Sequence, residues 1–201
     1  MKLSQMKKFK PLRTIVLFTA LFLCGRDGSA QTVDITRATN PNVEFTFNSV
    51  AKLVNGIVIP NAVTVNIEAI GIGWDLYAGA VTTTPGTWDN AQYYTSSGNG
   101  QPPVSILQMR VHNLSNTPLI SGYAPLQDIA TSTLDFIGDH MAVDADINCS
   151  DPSPVGTNAA GSYTTDPQCY QFKVDLKITP GLTYRPGIYT LQIEFIVAPD
   201  L

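Results

Sequence analysis

The chain has 201 residues, a formal net charge of −4, and 44% hydrophobic against 14% charged residues. Residues 1–30 carry six of the 12 basic residues and one of the 16 acidic ones, so the remaining 171 hold a formal charge of −9. This balance excludes nucleic acid and anionic lipid surfaces as partners, because both need clustered Lys and Arg.

Residues 1–30 read as a signal peptide. Lys2, Lys7, Lys8, Lys10 and Arg13 form a basic start, and residues 14–24 make an apolar run of eleven, too short to span a bilayer. Gly28-Ser29-Ala30 offers a cleavage site before Gln31. A lipid anchor on Cys24 is the competing expectation; the bulky Leu23 stands where a small residue is wanted. Export to the cell surface, the medium or the periplasm is expected, with no transmembrane segment in the processed chain. Residues 31–201 suit one domain.

In chain order, residues 31–42 are polar apart from Val33 and Ile35. Val43, Phe45 and Phe47 alternate with polar residues as in a short strand with an aromatic face. Asn55-Gly56 signals a turn, and a strand at Ile57, Val58 and Ile59 is expected to stop at Pro60-Asn61. Residues 63–78 carry the longest β pattern. Val63, Val65, Ile67 and Ala69 occupy one face; then the apolar set moves to Ile70, Ile72, Trp74 and Leu76. A one-residue slip reverses the faces, and Gly71 and Gly73 make a bend cheap there. A bent strand, or two strands meeting at a corner, is expected, with Trp74 in the core.

Residues 81–103 are rich in Gly, Pro, Ser, Thr and Asn, and read as a long loop or floppy hairpin. Trp88, Tyr93 and Tyr94 lie within it. Aromatic faces beside amide side chains suit sugar rings, so these three are the candidate ligand-binding residues. The favoured competing expectation is that they fold back and cap the core. Leu107, Met109 and Val111 face inward on the next strand, with Gln108 and Arg110 outward. Residues 119–137 are ambiguous, with a short helix near Leu126 as one option.

Residues 141–149 alternate well, with Met141, Val143, Ala145 and Ile147 inward and Asp144 and Asp146 outward. Outward carboxylates could suit Ca²⁺, but no calcium-loop spacing accompanies them, so they read as a solvated face. No metal site and no cofactor are expected. Cys149 and Cys169 bound a Pro/Gly/Ser-rich loop, and in an exported protein two such cysteines read as a disulfide. Phe172, Val174, Leu176 and Ile178 alternate with outward Lys173, Asp175 and Lys177; Tyr189, Leu191, Ile193, Phe195 and Val197 form the last apolar face. A short turn at 179–186 is expected to pair these two strands as a hairpin. With no sustained helical period, the expected fold is all-β, a single antiparallel β-sandwich of Ig-like or jelly-roll-like type.

No G-x-S-x-G, H-E-x-x-H, P-loop or G-x-G-x-x-G motif occurs, so no catalytic residues are assigned. A secreted hydrolase is the third reading, because a paired-carboxylate geometry is invisible in a sequence. Gly73-Trp74-Asp75-Leu76 resembles the Trp-x-Leu signature of WxL cell-wall domains, and Pro186-Gly187-Ile188-Tyr189 is similar to the ending of many secreted pilin-like and WxL sandwiches. The resemblance implies an exported, non-catalytic surface sandwich. The first expectation is therefore a structural or adhesive surface protein, such as a filament subunit that self-associates through strand edges. The second is a carbohydrate-binding module for a surface glycan.

Overall fold

Val33 and Ile35 suffice to build β1 (Thr32–Arg37), which runs antiparallel to β2 (Ile57–Ile70), with Thr32 opposite Ile70 and Arg37 opposite Val65. The computed structural model describes residues 31–37, 42–114, 122–137 and 159–200. Residues 43–48 pair with no strand, contrary to the expected strand, although Val43, Phe45 and Phe47 do pack inward. The Asn55-Gly56 signal proves to be a helix end. In α1 (Val50–Asn55), Ser49 Oγ caps the start by accepting the Lys52 N–H at 3.3 Å, and the Gly56 N–H donates to the Lys52 carbonyl at 2.8 Å.

Pro60-Asn61 does not stop the strand. β2 continues through it as a bulge, shifting its register against β9 (Gln171–Ile178) between Ile59 and Val63. Val63, Val65, Ile67 and Ala69 are buried as expected. The chain then turns at Gly71, whose φ of +68° is a conformation that favours glycine. β3 (Gly73–Val81) leaves in a different sheet, so the corner carries the chain from one layer to the other. Trp74, Leu76, Ala78 and Ala80 face the same core from the opposite side. Ile70 departs from expectation: it is 51% exposed. The reversal of faces happens at the turn after it, so Ile70 keeps the outward phase of Glu68.

The remaining elements are β4 (Asp89–Tyr93), a 3₁₀ turn at Val104–Ile106, β5 (Leu107–His112), β6 (Ala124–Pro125), β7 (Leu134–Ile137), β8 (Gly161–Ser162), α2 (Pro167–Tyr170), β10 (Gly187–Thr190) and β11 (Gln192–Asp200). One sheet runs β1-β2-β9-β5-β6, with β8 also on β2; a second runs β11-β3-β7; β4 and β10 form a two-stranded arm. All these strand pairs are antiparallel. The two larger sheets share one core, so the fold is an all-β sandwich. Its centre is Trp74, fully buried, with ring centroids of Tyr170 and Phe172 each 5.9 Å away.

Two expectations, one about pairing and one about a helix, are corrected. The last strand does not form a hairpin with β9. It crosses to the other layer and pairs with β3, from Gln192 opposite Val81 to Asp200 opposite Gly73. The reason is topological: residues 179–186 carry the chain between sheets, and β9 is already flanked by β2 and β5. In 119–137, the described residues 122–137 hold two short strands and a turn in place of a helix. Residues 1–30 and 141–149, including Asp144, Asp146 and Cys149, lie outside the described residues. Among those described, no helix is long and apolar enough to cross a membrane.

Candidate functional sites

The aromatic stretch is not a free loop. β4 pairs with β10, with a bulge between Ile188 and Tyr189, and Asn99 bridges to Tyr184. Gly187 permits the close approach, since a Cβ there would sit 2.4 Å from the Gln92 carbonyl oxygen. The three predicted residues part company. Trp88 folds back against the core, as the competing expectation has it. Tyr93 is 37% exposed, and Tyr94, at 61%, projects furthest.

Tyr93 finds partners that no local pattern around it announces. The Arg185 guanidinium lies 4.3 Å from its ring centroid, and the Tyr189 ring meets it edge-on at 6.1 Å. The Tyr189 hydroxyl donates to the Arg185 carbonyl. Burial, then the neighbouring Tyr93, pushes the Tyr189 phenol above its ordinary pKa. These partners lie about ninety residues downstream of Tyr93, and the β4–β10 ladder, with the bridge from Asn99 to Tyr184 beside it, brings them together.

A polar cluster lies on the outer face of the larger sheet, around Asp175. Asp175 is only 2% exposed. It accepts from the Asn61 backbone N–H at 2.8 Å, from Arg110 Nε at 3.1 Å and again from Arg110 Nη2, and it lies 3.3 Å from His112 Nε2. Burial raises the carboxyl pKa, but hydrogen bonds from Asn61, Arg110 and His112 outweigh it and hold the group below its ordinary value. The Arg110 guanidinium is correspondingly raised by its hydrogen bond to Asp175. Arg110 and Lys177 both lie over the Tyr123 ring, at 5.1 and 5.5 Å. The Asp175 and His112 side chains are nearly inaccessible, so this arrangement fastens β5, β9 and the β2 bulge. It does not present a reactive group.

A second buried carboxylate, Asp128, ties down the loop after β3. It accepts from the Thr82 hydroxyl at 2.6 Å, the Ala130 N–H at 2.9 Å and the Gly86 N–H at 3.1 Å. The Thr82 hydrogen bond, opposed by burial and joined by the two backbone bonds, lowers its pKa. Cys169 is buried in α2. Among the described residues, no group of three or more His, Cys, Asp and Glu could hold a metal ion.

The most distinctive surface is a strand edge. β11 ends the β11-β3-β7 sheet. It pairs with β3 over nine residues without a register shift. Ile193, Phe195 and Val197 point inward but are only half-buried, and Ile196 and Ala198 on the other face are likewise half-exposed. Edge strands are ordinarily blunted by Lys, bulges or shortness. β11 has none of these; β1 lies close to it without pairing, and Glu194 and Pro199 add to its protection.

No protein-family model matches this chain, and no curated protein matches it.

Proposed function

We propose that this is an exported, non-catalytic surface protein with a structural or adhesive role, one that self-associates through the edge of β11. The observation that carries the reading is that long, regular edge, unpaired on its outer side, with a row of half-buried apolar side chains behind it. Its main-chain N–H and C=O groups offer a template for strand addition, and its alternating apolar side chains offer specificity. The signal-peptide pattern supports export. The inaccessibility of the Asp175–His112 pair supports a non-catalytic role. Sedimentation velocity with negative-stain microscopy of the purified protein tests the reading. Concentration-dependent assemblies that are lost in Ile196→Lys, while the monomer keeps its melting behaviour, are expected. A strictly monomeric protein at all concentrations sinks it.

The second reading is a carbohydrate-binding module. It draws on Tyr94 and on Tyr93 backed by Arg185, not on Trp88, whose ring packs against the core. Glycan binding lost in Tyr94→Ala, by a protein that stays monomeric, would favour it over the first.

A further inference from the structure

Residues 43–48 are a strand in pattern without a ladder. Val43, Phe45 and Phe47 pack on the core, while Glu44, Thr46 and Asn48 face solvent. Among the described residues, no backbone hydrogen bond joins this segment to a strand. The Lys52 ammonium donates to the Thr46 carbonyl at 3.4 Å. β11 is the complement: an edge nine residues long with a ladder on one side.

Resting on the self-association reading above, we propose that residues 43–48 of one copy add as a strand to the β11 edge of the next. The lengths agree. Six extended residues span about 20 Å, and nine residues of edge offer about 30 Å. The periods agree as well. An added strand places Val43, Phe45 and Phe47 on the side of Ile193, Phe195 and Val197, whose burial is incomplete, and leaves Glu44 and Thr46 on the outer side. Neither segment carries a Lys or Arg that would obstruct pairing. Moving a segment from its own core to a neighbour's edge exchanges one apolar seat for another. It also gains main-chain hydrogen bonds that the segment lacks at home. Donor segment and acceptor edge are different surfaces, so the contact is heterologous and extends into open filaments when its rotation does not close a ring.

The test adds a synthetic peptide of residues 42–48 to the purified full chain. It follows assembly by sedimentation velocity and amide exchange across 192–200. The peptide should slow exchange at alternate β11 amides and shift the protein towards monomer, while a scrambled peptide does neither. Phe45→Ser/Phe47→Ser protein should lose assembly. If that variant fails to fold, the peptide arm decides on the unmodified protein. Assembly untouched by the peptide, with β11 exchange unchanged, overturns the strand donor and leaves self-association standing. No assembly at any concentration overturns both.

Discussion

Asn61 donates its backbone N–H to Asp175 Oδ1 at 2.8 Å, joining positions 114 residues apart. Asn61 has φ of 50°, left-handed for a non-glycine residue. The bulge at Pro60-Asn61 thus turns an N–H, unable to serve the ladder there, towards a carboxylate on the neighbouring strand. The same carboxylate takes Arg110 and His112 from β5. One side chain therefore holds three consecutive strands of the larger sheet on its outer face.

Removing that charge should be costly. Asp175→Asn leaves Arg110 and the Asn61 N–H poorly partnered, and breaking such a buried pair is expected to destabilise the protein by about 3 kcal/mol. The pH dependence has a definite sign. The folded carboxyl pKa lies below the unfolded one, so this stabilisation is fully present above about pH 3.9, the ordinary Asp value, and is lost as pH falls through the lower folded value. Urea unfolding from pH 7 down to the acid limb should show a shallower loss of stability in Asp175→Asn than in the parent. Parallel acid limbs would show that Asp175 is not the linked group.

Asp128 acts more locally. Asp128→Ala removes the acceptor for Thr82, Gly86 and Ala130; because none of these donors is fully buried, water can replace it, and a cost of about 1 kcal/mol for each bond is expected. Amide exchange at Gly86 and Ala130 should accelerate well before that of β9. If exchange at these two positions keeps the parent's rate, the clasp is not what orders the loop.

Trp74→Ala tests the centre of the sandwich. The ring is fully buried between Tyr170 and Phe172, and its Nε1–H donates to the Ala159 carbonyl at 3.0 Å. A loss of about 3–5 kcal/mol is expected. Wild-type stability in this variant would contradict the core assignment.

Cys149 lies outside the described residues, and Cys169 is buried at the start of the run into β9. We expect the two to be bonded. Peptide mapping of non-reduced protein should recover them as one linked species, and reduction should cost about 3 kcal/mol on the chain-entropy account of a loop this size. Two alkylatable thiols in the folded protein would refute the pairing.

What the sequence made legible was face, not partner. Val63, Val65, Ile67 and Ala69, and likewise Leu107, Met109 and Val111, announce their buried side by period-two alternation, and each is buried as read. The corner at Gly71 was visible because the phase reverses there. Pairing was not visible, since nothing local in residues 192–200 distinguishes β3 from β9 as neighbour. The burial of Asp175 was invisible for the same reason: alternation places it outward correctly, but the groups that cover it come from residues 61, 110 and 112. The Ser49 and Gly56 caps of α1 were readable signals, overshadowed by the Asn-Gly turn motif.

The C-terminal segment decides how much of the sandwich one chain makes for itself. Deleting residues 188–201 removes β11 and most of β10, and with them the ladder along one whole edge of β3. Ile193, Phe195 and Val197 leave the core cluster, and the layer containing Leu76, Ala78 and Ala80 loses its flank. At about 25 cal/mol for each Å² of apolar surface returned to water, several large side chains account for a large part of the 5–15 kcal/mol that holds a domain together. We therefore expect the truncated chain not to fold, with no cooperative thermal transition and rapid amide exchange throughout β3. A truncated protein that stays soluble, melts cooperatively and regains full stability when a peptide of residues 188–201 is added would show the reverse. The strand would then be a detachable element, and β3 an acceptor able to take it from another chain.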